Sequence, residues 1–183
     1  MMKEQFDELA AVLDETRKQS HVIESIAQSI LHAFKGKKKV IIFGNGGSYA
    51  DALHFAAEFE GAYKNRKRAA LPALVPGNGS SLTALGNDFG YENIFSKFVE
   101  AHAGPGDIVI GLTTSGRSPN VLLGLAKARE KQAITVGFTG KSGMSFPCDF
   151  LLAIPSDDTA RIQEMHHFAY HEICGMVEKG LFG

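Results

Sequence analysis

Val40-Ile41-Ile42-Phe43-Gly44-Asn45-Gly46-Gly47-Ser48 decides the reading of this chain's fold. Four consecutive large apolar residues suit a strand buried on both faces, as in a parallel sheet. The glycine-rich stretch turns the backbone with few side chains in the way. A helical pattern follows over residues 48–60. Further strand patterns lie at residues 71–75, 107–112, 134–138 and 150–154, and helical ones at 81–85, 91–101, 119–131 and 159–179. Pro72 marks its segment as an edge strand or a strand start. Pro119 suits the first turn of a helix, where a missing N–H costs nothing. Upstream, Phe6, Leu9, Leu13, Val22, Ile23, Ile26, Ile30 and Leu31 recur at helical spacing with no Gly or Pro between them. They predict one long helix over residues 4–35, stopped by Gly36 and of a kind that packs on a partner chain. Strands alternating with helices predict a doubly wound parallel sheet flanked by helices, in one domain spanning residues 1–183.

Composition narrows the function. The chain has 183 residues, is 44% hydrophobic and carries a formal net charge of -1. It lacks the basic excess of a nucleic-acid binder, so an anion site must be local. Lys37-Lys38-Lys39 reads as a solvated strand start. The two cysteines, Cys148 and Cys174, form no Cys-x-x-Cys pair and imply neither a disulfide framework nor a thiolate metal cluster. The polar N-terminus has no apolar leader, and no apolar run is long enough to span a membrane. The expectation is a cytoplasmic protein.

In open α/β sheets, ligands bind beyond the carboxyl ends of the strands, and two loops fall there. Gly44-Asn45-Gly46-Gly47-Ser48 lets the backbone approach a ligand at a helix start. It is neither the Gly-x-Gly-x-x-Gly dinucleotide pattern nor a Gly-Lys-Ser/Thr phosphate loop, and a plain tight turn reads equally well. Thr113-Thr114-Ser115-Gly116-Arg117-Ser118 places four hydroxyls within six residues. One hydroxyl would cap the following helix, as Ser118 can. Four of them point to a phosphate cradle. His54 and Glu58 are spaced i, i+4 on the helix leaving the first loop and share a face, which an exposed contact pair would also do. Gln163, Glu164, His166, His167 and His171 crowd the last helix, giving either a metal face or a solvated one. Gln163 and His171 lie within roughly 80° of each other around that helix.

These stretches, with Asp51-Ala52-Leu53-His54-Phe55-Ala56-Ala57-Glu58, Gly86-Asn87-Asp88-Phe89-Gly90 and Arg161-Ile162-Gln163-Glu164-Met165-His166, resemble bacterial phosphoheptose isomerases in order along nearly the whole chain. The resemblance implies a flavodoxin-like sugar-isomerase (SIS) domain. It implies conversion of sedoheptulose 7-phosphate to D-glycero-D-manno-heptose 7-phosphate, the first step toward an activated heptose for lipopolysaccharide or capsule. Glu58 and His171 would be the catalytic base and second acid/base. Zinc would be held by His54, Glu58, Gln163 and His171. Substrate would be bound by Asn45, Gly46, Gly47, Ser48, Asn87, Asp88, Thr113, Thr114, Ser115, Ser118 and Gln163. Arg117 varies in the family and would add charge near the phosphate, and the segment 140–149 looks shorter than usual. The partners expected are a sugar phosphate and three further copies in a homotetramer, with no nucleic acid and no membrane. Because helices 48–60 and 159–179 are far apart in sequence, His171 is expected to serve a site whose loops come partly from another chain. The rival reading is a non-catalytic relative that binds the replication initiator DnaA. It shares the Arg-Ile-Gln-Glu-Met-His stretch but not the catalytic pair, both members of which are present here.

Overall fold

The computed structural model describes residues 2–183. Its centre is a five-stranded, all-parallel sheet in the order β2-β1-β3-β4-β5. The strands are β1 (Val40–Gly44), β2 (Ala73–Leu74), β3 (Ile108–Leu112), β4 (Ile134–Thr139) and β5 (Phe150–Ala153). The helices are α1 (Met2–Arg17), α2 (Ser20–Lys35), α3 (Gly47–Glu60), α4 (Gly79–Phe89), α5 (Ile94–His102), α6 (Pro119–Glu130) and α7 (Thr159–Phe182). Alternate residues of each strand serve opposite faces. Val40, Ile42, Ile108, Ile110 and Phe138 form one core with α2, α3 and α7, while Ile41, Phe43 and Val109 form a second with α5 and α6. With both faces covered, the unbroken apolar strands expected from the sequence follow.

Residues 4–35 form two helices, a correction to the single helix predicted. The helical ladder closes with Gln19 N–H donating to Thr16 O at 2.9 Å. The Gln19 side chain then pairs with the outer edge of β5. Its Nε2 donates to Ala153 O, and its Oε1 accepts from Ala153 N–H at 3.2 Å. The amide thus mimics a neighbouring strand at an otherwise open edge. At the other edge β2 shrinks to two residues, because Pro72 has no N–H to extend the ladder. α4 is longer than expected, and residues 91–101 divide into a 3-10 turn, Tyr91–Asn93, and α5.

The chain leaves β1 toward β2 on one side and β3 toward β4 on the other. The order therefore reverses between β1 and β3, where such sheets carry their ligand crevice. The two loops singled out above both open there. Among the described residues, no helix is long and apolar enough to cross a membrane.

Candidate functional site

At the crevice, two asparagines lock the loops together. Asn45 Nδ2 donates to Asn120 Oδ1 and Asn120 Nδ2 donates to Asn45 Oδ1, both at 2.9 Å. Asn120 cannot turn over, because its Oδ1 also accepts from Val121 N–H at 2.9 Å. Tyr91 O–H donates to the second lone pair of Asn45 Oδ1 at 3.0 Å. An amide carries two N–H groups and two acceptor sites. Asn45 is left with one free N–H and no free acceptor, so it can address only an oxygen that accepts. Gly46 makes the turn in the left-handed region, at φ 56°. Ser48 is buried against Gly44, at 3% exposure.

In the second loop, the buried Thr113 Oγ1 lies 2.9 Å from Ser118 Oγ and 3.3 Å from Ser115 Oγ, and Arg117 N–H donates to Ser115 Oγ at 3.2 Å. Ser118 sits at the N-cap of α6, but its hydroxyl makes no cap bond. The cap reading therefore fails, and the first N–H groups of α6 keep no side-chain acceptor from it. Gly116, at φ 67°, lies so close to Gly143 that any side chain would strike its carbonyl. Thr114 O accepts from Gly140 N–H at 3.1 Å, so residues 140–143 brace this loop. Asn87 and Asp88 are exposed on α4, hydrogen-bonded to each other at 2.8 Å. Arg117 is exposed.

A different cluster forms where α3 lies beside α7. His54 Nε2 is 3.0 Å from Glu58 Oε1, and His54 Nδ1 is 3.0 Å from Tyr170 Oη, which is 2.9 Å from His167 Nδ1. The His54 and His171 ring centres are 5.1 Å apart, and those of His167 and His171 are 4.4 Å apart. With neutral rings, these bonds fix the tautomers. His54 Nε2–H donates to Glu58, Tyr170 O–H donates to His54 Nδ1, and His167 Nδ1–H donates to the tyrosine oxygen. Nε2 of His167 keeps a bare lone pair. Burial lowers the His171 pKa, and the neighbouring His167 and His54 lower it further. Burial raises the Asp51 pKa against the opposing pull of His167 and His54.

His54, Glu58 and His171 therefore meet within one chain. The expectation that two distant helices need a second chain to meet is corrected, because both pack on the same sheet face. What remains apart is the crevice: Glu58 lies eleven residues along α3 from Gly47, about 16 Å at 1.5 Å per residue. Gln163 packs at the crevice end, where a Cβ on Gly47 would approach its Nε2 to 2.5 Å. An open depression of about 630 Å³ runs between the two ends, bounded by Gly47, Asp51, Gln163, His167 and His171.

The segment after α3 ties this cluster down. Glu178 accepts from the backbone N–H groups of Tyr63, Lys64 and Asn65 and from Arg68 Nε, at 2.8–3.1 Å. Burial alone would raise the Glu178 pKa, but Arg68 and these N–H groups outweigh it and hold it low. Arg68 also donates to the carbonyls of Glu58 and Phe59 at the end of α3. Tyr63 is thereby laid over His171, with ring centres 5.5 Å apart.

Sequence reasoning gave no role to Asn120, Tyr91, Tyr63, Arg68, Glu178 or Tyr170, and set His167 only among the side chains of a metal or solvated face. Only His167 carried a local signal, standing halfway between Gln163 and His171 at four-residue spacing. His166 points into the core instead. It is 0% exposed, its Nε2 lies 3.2 Å from Thr139 O, and burial lowers its pKa to about 4.

The SIS domain family model matches residues 4–140. A phosphoheptose isomerase of Citrifermentans bemidjiense is 49% identical over 166 residues, covering 89% of this chain and 86% of its own. One from Campylobacter jejuni is 40% identical over 182 residues, covering 98% of each chain. The solved structure of a phosphoheptose isomerase from Francisella tularensis superimposes with a TM-score of 0.93 at 30% identity, covering 97% of this chain and 96% of its own.

Proposed function

The chain belongs to the phosphoheptose isomerase family of SIS-domain proteins, and on that premise we propose that it interconverts sedoheptulose 7-phosphate and D-glycero-D-manno-heptose 7-phosphate. Ketose–aldose isomerisation moves a proton between adjacent carbons through an enediolate. It needs a base, a group that handles the oxygen protons, and donors for the developing negative charge. The observation that carries the assignment is the meeting of Glu58 with His54 and His171 at one end of an open depression whose other end reaches the crevice of hydroxyls and amide donors. It also favours the enzyme over the initiator-binding relative, which lacks that pair.

In this reading Glu58, half-shielded beside His54, takes the proton from the carbon next to the carbonyl. His171 exchanges a proton with the sugar oxygens, and its lowered pKa keeps it neutral near pH 7. The single free N–H of Asn45 donates to a sugar or phosphate oxygen. Thr113, Thr114, Ser115 and Ser118, with the Asn120 N–H in the first turn of α6, hold the phosphate, and Arg117 adds positive charge at the rim. Asn87 and Asp88 are read as sugar contacts from α4.

The donor chemistry around His54 fits a zinc ion. Three imidazoles offer ligand atoms within 4.8 Å of one another, and a carboxylate oxygen lies 3.0 Å from one of them. His54, Glu58 and His171 would hold it, with Gln163 as the further ligand the resemblance implies, its side chain swinging away from Gly47. When bound, zinc supplies Lewis-acid polarisation of the sugar oxygens.

The roughly 16 Å along α3 between the crevice and Glu58 supports a homotetramer in which one chain's phosphate loop faces another chain's Glu58. Exposed Phe6 and Leu13 on α1 supply apolar surface for such packing. The carboxylate and histidine come from the same chain, so mixing Glu58→Gln with His171→Ala chains restores nothing. Mixing Glu58→Gln chains with Ser115→Ala/Ser118→Ala chains is the informative experiment. Assayed well below saturation, where both parent variants are impaired, partial recovery of activity is expected, and none despite proven exchange would exclude the shared site.

The isomerase assignment is tested by incubating the purified protein with sedoheptulose 7-phosphate and following aldose by NMR. Aldose should form to equilibrium from the phosphorylated ketose and far more slowly from sedoheptulose itself. No conversion of the phosphate ester would reject the assignment.

A further inference from the structure

His167 closes a triangle of imidazoles with His54 and His171. It is one helical turn from His171 and one from Gln163, on the α7 face turned toward α3. Its ring centre is 4.9 Å from that of His54 and 4.4 Å from that of His171, both edge to face. The ligand atoms of His54, His167 and His171 lie within 4.8 Å of one another, a separation one ion can close. Gln163, by contrast, packs on Gly47, about 12 Å along α7 from His171.

The hydrogen bonds prepare His167 for this task. Tyr170 Oη has one proton and two lone pairs. It lies 3.0 Å from His54 Nδ1 and 2.9 Å from His167 Nδ1, so it can donate to only one of them. The other must be protonated at Nδ1 and bare at Nε2. Since Glu58 takes the Nε2 proton of His54, that other ring is His167. When an ion takes Nε2 of His54, the ring's single proton moves to Nδ1 and donates to the same tyrosine oxygen, whose own O–H turns away from His54. One hydroxyl then orients two imidazoles, as outer partners do in metal sites. His167 is also within 3.9 Å of Asp51 Oδ1, which favours its Nδ1–H form.

We infer that His167 supplies a third imidazole to a divalent-cation site with His54, His171 and Glu58, and that Tyr170 is the positioning residue that sets the His54 and His167 tautomers. Three imidazoles and a carboxylate suit zinc better than calcium or magnesium. The inference rests on the zinc reading above and adds a ligand to it.

The test is metal binding by the intact chain, independent of turnover. Metal-free protein is titrated with Zn2+ against a chromophoric chelator, and with Co2+ while the visible absorption is read. The wild type should bind one ion per chain. His167→Ala should weaken Zn2+ binding by at least about 100-fold and reduce the Co2+ absorption. The His167 side chain is 43% exposed, so the metal-free variant should melt with the wild type. Tyr170→Phe keeps the ring and should weaken binding about 10–100-fold. Unchanged affinity in His167→Ala, with binding lost in His54→Ala, would overturn the role of His167 and leave the zinc reading standing. No binding by the wild type would overturn both.

Discussion

The crevice between β1 and β3 and the histidine face between α3 and α7 are built in opposite ways. The crevice is fixed by short-range hydrogen bonds: Asn45 to Asn120, Thr113 to Ser118, Arg117 N–H to Ser115. They leave Asn45 one spare N–H donor before any ligand arrives. The histidine face is assembled by packing two helices more than a hundred residues apart and is held by a remote buried ion pair, Arg68 with Glu178. Hydrogen-bonded loops make a binding site, whereas packed helices make a place where proton affinities can be tuned by burial. The division predicted is affinity at the crevice and chemistry at the helices.

The largest effect should come from the helices. Glu58→Gln keeps the side chain's shape and removes the base, so turnover should fall by about 10²–10⁴-fold. A steady-state assay showing near-normal turnover would break the comparison.

Next in size is the clamp. Glu178→Ala leaves Arg68 buried without its partner, and breaking such a pair costs about 3–5 kcal/mol. Urea unfolding should show that loss. Turnover should fall with it, because Tyr63 and the end of α3 lose their anchor, while affinity for the sugar phosphate changes little. A stability loss with unchanged turnover would separate the clamp from the site.

Acid should loosen the helix face through His166. Its pKa is about 4 in the folded chain and about 6.5 when unfolded. Between those values the unfolded chain binds a proton that the folded one does not. Stability therefore falls as pH drops from 6.5 to 4, by about 3 kcal/mol from this residue, and is unaffected by it above 6.5. Urea midpoints measured across that range should show the decline, and His166→Gln should flatten it. An equal decline in the variant would assign the acid sensitivity elsewhere.

The smallest effect belongs to the crevice. Ser115→Ala with Ser118→Ala removes two hydroxyl donors, and a hydrogen bond to a charged group contributes about 1.5–3 kcal/mol. Calorimetry should find the sugar phosphate bound at least about tenfold more weakly. Unchanged affinity would move the phosphate site.

The same contrast explains what could be read from the sequence. The apolar strands, the glycine turn and the hydroxyl-rich loop are local patterns, so the doubly wound sheet and the crevice were foreseeable from them. The break at Lys18-Gln19 was not, because Gln19 answers to Ala153 across the fold and nothing nearby interrupts the helical spacing. Asn120 reads as an ordinary early-helix residue until Asn45 is placed opposite it. Glu178 and Arg68 are 110 residues apart, and only folding shows that one charge needs the other. His166 and His167 are neighbours in the same motif, yet the helix turns one into the core and the other toward α3.

The division of labour is tested most directly by crossing two measurements on two variants. Binding of sedoheptulose 7-phosphate is read by calorimetry and its isomerisation by NMR, for Glu58→Gln and for Ser115→Ala/Ser118→Ala. The account predicts that Glu58→Gln binds within about threefold of wild type and turns over at least about 100-fold more slowly. It predicts that the serine variant binds at least about tenfold more weakly and approaches wild-type turnover at saturation. Equal losses of binding and turnover in both variants would contradict it.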